Sequence, residues 1–135
     1  MADTEKPWWR RWFGSRSERA AARFLKRLGY RILARNFSCQ LGELDIIALD
    51  GSSVVFVEVR STEAGSMEKP AASVDLKKQQ KLTRLALFYL QKKRLLNQSA
   101  RFDVLTVRWP ADQREPTIHH FANAFEATGK FQFFS

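Results

Sequence analysis

With 44% hydrophobic residues over 135 positions, the chain can bury one ordinary core, which points to a single compact domain with loose ends. It carries 23 Lys and Arg against 14 Asp and Glu, a formal charge of +9, so its natural partner is an anionic polymer, nucleic acid ahead of an anionic membrane surface. A lone cysteine, Cys39, excludes an internal disulfide, and the longest apolar candidate, Leu85 to Leu90, is far too short to span a bilayer.

The opening stretch MADTEKPWWRRWFG lacks the uninterrupted apolar core of a signal peptide, so the expectation is a cytoplasmic protein with no stable membrane insertion. Residues 1–14 read as a flexible basic aromatic segment, 15–126 as the folded domain and 127–135 as a tail. In the first of these, Trp8, Trp9, Trp12 and Phe13 alternate with Arg10 and Arg11, a mixture that stacks on bases, rests at a lipid interface, or simply packs back on the domain. Ser15-Arg16-Ser17-Glu18 matches a capping box and predicts a helix from about Ser15 to Leu28, ended by Gly29. Its apolar stripe is Ala21, Phe24, Leu25 and Leu28. Glu18 lies at the margin of that stripe, away from the Arg-rich side; a cap role alone would account for it.

Tyr30 to Phe37 reads as a first strand. Glu43 to Leu49 and Val54 to Arg60 are then two Ile-, Val- and Leu-rich runs flanking Asp50-Gly51-Ser52-Ser53, the pattern of a β-hairpin. Pairing Leu49 with Val54 makes opposed residue numbers sum to 103 and sets Asp45 opposite Glu58; a tighter turn would oppose Glu43 to Glu58 instead. Either register puts Glu43, Asp45, Glu58 and Arg60 on one face, with Val55, Val57 and Val59 on the other. Opposed carboxylates about 5 Å apart repel. A divalent cation, Mg²⁺ or Mn²⁺, would resolve that repulsion, held by Asp45, Glu58 and the carbonyl of Val59. The plainer account is a solvated pair on an exposed sheet face, but Ile47, Leu49, Val54 and Phe56 on the same face argue that it is covered.

Residues 61–73 form a loop long enough to make a lip over that site. A second helix is predicted over about Val74 to Leu96, with Leu82, Leu85, Ala86, Tyr89 and Leu90 as its buried stripe. Lys78 extends this stripe by one turn, either snorkelling to water or reaching an anion, while Lys77, Lys81 and Arg84 make a separate basic face. Arg101 to Arg108 alternates as a strand that puts Asp103 on a mostly apolar face, where a structural role is favoured over support of the site. Thr117 to Phe121 is a last short strand. Its adjacent His119 and His120 point to opposite sides, a poor arrangement for one metal. No nucleotide-binding Gly-rich loop, nucleophile elbow, zinc motif or internal repeat is present.

Glu18 in the first helix, GELD at 42–45, VFVEVR at 55–60, Lys78, RFDV at 101–104 and AF at 124–125 together resemble the YraN-like family of uncharacterised bacterial proteins. The likeness spans Ser17 to Phe125. That family resembles the PD-(D/E)XK nuclease superfamily, in particular Holliday-junction-resolvase-like and restriction-endonuclease-like proteins. The resemblance implies an α/β fold with an αβββαβ core and a mixed sheet, Asp45 and Glu58 as metal ligands, Glu18 as an accessory acid, and position 60 beside the attacking water. Arg60 stands where the motif has lysine, and arginine does not readily give up a proton. Water activation then falls to the metal or to Lys78. The resulting expectation is a metal-dependent endonuclease-like protein acting on DNA, branched DNA such as Holliday junctions included. The competing expectation is a non-catalytic nucleic-acid-binding protein on the same fold. A homodimer would supply the two sites that cutting both strands of a junction requires.

Overall fold

A computed structural model describes residues 8–63, 74–112 and 114–126. Most of the loop expected to form a lip, the terminal tail 127–135 and the aromatic side chains before Arg16 lie outside what it describes. The elements run α1 (Trp8–Arg27), β1 (Arg31–Cys39), β2 (Gly42–Asp50), β3 (Ser53–Glu63), α2 (Leu76–Lys92), β4 (Ala100–Trp109) and β5 (Thr117–Phe125). The five strands form one sheet in sequence order, antiparallel throughout except for β3 and β4, which are parallel and joined by α2 as the crossover. This mixed α/β layer is consistent with a restriction-endonuclease-like αβββαβ core to which β5 adds an edge.

A helix covers each face, which is why the central strands read as nearly unbroken apolar runs. Ile47, Val54 and Phe56 pack against Leu82, Leu85, Tyr89 and Leu90 of α2 on one side. Ile46, Val55 and Val57 meet Ala21, Ala22 and Leu25 of α1 on the other. The predicted stripe of α2 is buried in full. Fully burying a Leu-sized side chain is worth roughly 1.5–3 kcal/mol, so these two faces hold the layers together.

The hairpin takes the register that sums to 103: Leu49 pairs with Val54 and Ile46 with Val57, with Gly51 and Ser52 at the tip. Gly51 sits there at φ +62°, a conformation glycine adopts freely. Gly29 ends α1 as expected, at φ +96°, with the Tyr30 amide donating back to the Leu25 carbonyl at 3.0 Å.

Several boundaries differ from the sequence reading: β1 runs on to Cys39, and β3 to Glu63, into the stretch read as a loop. The first helix begins at Trp8 and passes through Gly14 and Ser15 unbroken, so the capping-box pattern lies inside a helix and marks no start. The second helix is shorter: the Asp75 side chain caps it by accepting from the Lys78 amide at 2.9 Å, and Arg94 at φ +59° turns the chain away just past its end. The last strand continues to Phe125, whose ring stacks on Phe102 at 4.6 Å.

Gly42 opens β2 at φ +140°, where an added Cβ would lie 2.8 Å from Lys81 Cε and 3.4 Å from Leu85 Cδ1. The lysine end can swing away, but the backbone cannot relax. Gly42→Ala is therefore expected to cost about 1–3 kcal/mol in urea unfolding, and a second change, Lys81→Ala, should not recover it.

Candidate active site

The ladder between β2 and β3 stops at Ile46 and Val57, one pair short of Asp45 and Glu58. Beyond that point the strands part, and Asp45 fills the gap by accepting the Val59 amide on Oδ2 at 2.8 Å. The strict alternation of β2 also breaks here. Leu44 shares the α2-side core with Ile47, three residues on, where an unbroken pleat would put them on opposite faces. Regular alternation would have put Glu43 on the face of Asp45; with the alternation broken, Glu43 is exposed and does not join it. On β1, Asn36 stands at φ +55° between residues paired with Leu44 and Ile46, so the neighbouring strand is bent at the same level.

Glu58 is only 14% exposed in its side chain, and Lys78 Nζ reaches its Oε2 at 2.9 Å from the first turn of α2. The helix stripe and the hairpin register thus bring together the lysine and the carboxylate that the sequence placed on separate elements. Glu18 approaches from the opposite layer, on α1, near enough to act on the charge of Asp45. Arg60 lies two residues past Glu58 on β3, half-buried and paired in the sheet with Thr106.

The consequence is an acid that keeps its proton up to near-neutral pH. Burial first, then the Glu58 charge and more weakly Glu18, push the Asp45 carboxyl up to about 7 against the opposing pull of the Val59 amide and Lys78. Its folded value therefore lies above that of the unfolded chain, so between about pH 4 and 7 the folded protein binds the extra proton. Stability from this group should fall as the pH rises through that interval. Asp45→Asn keeps an acceptor for the Val59 amide and removes the charge. At pH 8 in chelator it is expected to unfold about 1–3 kcal/mol later than the parent chain, with little difference at pH 4, by thermal denaturation.

The donor set suits a hard divalent ion. Two carboxylates at the mouth of a split in the sheet offer oxygen ligands only, and their mutual repulsion is what a cation would relieve. Among the described residues no group of three or more His, Cys, Asp or Glu gathers as a metal cluster, so Glu18 does not complete a three-carboxylate set.

Asp103 does not join this centre. It is fully buried and accepts from Arg101 Nε at 3.0 Å, from His120 Nε2 at 2.7 Å and from the Asn123 amide at 2.9 Å. His119 is exposed on the other side of β5, as the alternation predicted. Sequence reasoning missed Ser17, buried in α1, whose Oγ lies 2.6 Å from Ser61 Oγ and accepts Trp109 Nε1 at 2.9 Å, tying α1 to the ends of β3 and β4. No motif marks it; only the pairing of distant elements does.

The same stretch of chain carries the similarity to known proteins. Residues 17–107, which include Glu18, Asp45, Glu58, Arg60 and Lys78, match a profile described as an uncharacterised protein family, UPF0102. A UPF0102 protein of Rhodopirellula baltica is 43% identical over 124 residues, covering 90% of this chain and 74% of that relative. One from Geobacter metallireducens is 42% identical over 113 residues, covering 84% and 91%. One from Moorella thermoacetica is 42% identical over 116 residues, covering 86% and 97%.

Proposed function

Since the chain belongs to the uncharacterised protein family UPF0102, we propose for it a chemistry read from its own residues: metal-dependent, endonuclease-like action on DNA phosphodiester bonds. The observation that supports this most is the placement of Asp45 beside Glu58, its carboxyl raised to about 7 by burial and by that neighbour. Proteins seldom bury two carboxylates together unless something binds them. Asp45, Glu58 and the Val59 carbonyl would hold Mg²⁺ or Mn²⁺. The ion would supply charge neutralisation at the phosphate and a lowered pKa for its water.

The protein's own groups do the rest. Lys78, tethered to Glu58 and 48% exposed in its side chain, is free to turn from the carboxylate to a phosphate oxygen. Arg60 keeps its charge and offers a planar fork suited to the same phosphate, so it positions and stabilises without taking a proton. Glu18 raises the negative potential at Asp45 from the facing helix. Lys77, Lys81 and Arg84 on the exposed side of α2 extend the positive surface along which a backbone can lie. No described helix is long and apolar enough to cross a membrane.

Labelled branched, flapped and linear DNA incubated with the purified chain and Mg²⁺, Mn²⁺ or chelator tests this reading. Cutting that needs the metal supports it. Binding without cutting under any metal would favour a non-catalytic nucleic-acid-binding protein, the reading that Arg60 in place of lysine supports.

A further inference from the structure

The flank of α1 turned away from Glu18 borders a groove of about 440 Å³, walled by that helix on one side and by the β4–β5 connection on the other. Its rim is mostly arginine. Arg16, Arg19, Arg23 and Arg27 run along α1 and Arg114 faces them, with Glu115 the one acidic residue of the lining against these five cations, while Phe24, Trp109 and Ile118 line the groove beneath. Much of the apolar lining is fixed in place: Trp109 is 4% exposed, bonded to Ser17 and overlaid by the Arg16 guanidinium at 3.9 Å, and Phe24 packs edge-on against His120. Arg19, Arg23 and Arg27 are exposed, and the described residues supply none of them with a carboxylate partner. Like charges stacked along one helix face repel. Such a stripe therefore favours an anion laid along it.

We infer that this groove binds a single strand of nucleic acid through its phosphates, as a second contact separate from the Asp45–Glu58 centre. From Arg16 to Arg27 the helix advances about 16 Å, and at ~3.4 Å per phosphate of a stacked strand that length meets four or five phosphates. Guanidinium forks match phosphate oxygens, and an apolar, partly aromatic lining suits sugars and base faces; a basic groove with aromatic groups is the common plan of single-strand binding surfaces. The volume lies in the small-ligand range and takes one or two nucleotides in depth, whereas a double helix would rest on the rim alone. With Glu18 on the opposite flank, α1 becomes a partition between the strand held and the strand presented to the carboxylates. The inference rests on the reading of this protein as a nucleic-acid enzyme or binder.

The test is the full-length chain in chelator, with binding followed by anisotropy of a labelled oligothymidylate of about 20 nucleotides and of a duplex of equal length across a range of salt. Arg19→Gln/Arg23→Gln is compared with Lys92→Gln/Lys93→Gln, which removes the same charge at the far end of α2. The groove pair is expected to weaken oligothymidylate binding about tenfold and to lower its salt slope by about 1.4, two phosphates at ~0.7 each, with the duplex affected less than about twofold. Unchanged binding, an equal loss in the control pair, an equal loss for duplex, or displacement of the strand by polyglutamate at the same charge concentration would each overturn it. If the parent chain binds no nucleic acid, the proposed function fails as well. If the parent binds or cuts DNA and the groove pair matches it, only this inference fails.

Discussion

Asp45→Asn is expected to lower metal-dependent DNA cleavage by roughly 10³-fold or more while leaving DNA affinity within about twofold, because several kcal/mol of charge stabilisation act only on the reacting phosphate. Asparagine has nearly the same shape and still offers an oxygen to the Val59 amide, so the split between β2 and β3 should persist. It cannot provide the negative charge that holds a divalent ion. The accompanying gain in thermal stability makes the experiment decisive, since a more stable variant that has lost cutting cannot have lost it by unfolding. Lys78→Ala gives a useful contrast: it removes the cation 2.9 Å from Glu58, so it should weaken phosphate binding and cleavage together. If Asp45→Asn cuts as fast as the parent chain, the carboxylate pair is not the catalytic centre.

Much of this centre was legible because strand and helix periodicities are rigid rulers. The turn residues and apolar runs locate the hairpin and narrow its register to two, and the one adopted, Leu49 with Val54, makes Asp45 and Glu58 neighbours. Lys78 lies one turn before Leu82, so its reach towards the sheet follows from helix geometry. Where the rulers bend, the reading misses. Leu44 turns to the α2 side because the strands part at Asp45, and nothing in the local pattern announces a side chain that replaces a ladder bond. The SRSE pattern reads as a helix start, yet α1 continues seven residues upstream of Ser15, through Gly14, because capping residues also occur within helices. The arginine groove was only half visible. The basic side of α1 could be read directly, but its opposite wall comes from residues some ninety positions later.

Asp103→Ala is expected to cost about 3–5 kcal/mol, a fall of roughly 10–20 °C in Tm for a domain of this size, without removing any group of the proposed active site. The reason lies in what the carboxylate holds. Opposite Asp103 the pairing of β4 and β5 slips, with Phe102 facing Phe125 but Val104 facing Phe121, and the extra residues bulge through Asn123 at φ +54°. A bulge leaves an amide without a ladder partner, and Asp103 accepts that amide at 2.9 Å. The same carboxylate takes Arg101, which continues to Tyr30 Oη at 2.6 Å and to Asp50 Oδ2 at 3.0 Å, so one buried group links the end of α1, the hairpin tip and the edge strand. Removing it takes the fully buried carboxylate from Arg101, which keeps only Asp50 and Tyr30, and leaves His120 Nε2 and the Asn123 amide without their acceptor. Asp103→Asn should cost less, about 1–3 kcal/mol, because its amide oxygen can still accept from Asn123. Hydrogen exchange gives the specific readout: the Asn123 amide should lose protection in the alanine variant well below the denaturant concentration at which β2 and β3 open. An alanine variant as stable as the parent would mean that the bulge is held by β-pairing alone and that the network around Arg101 contributes little.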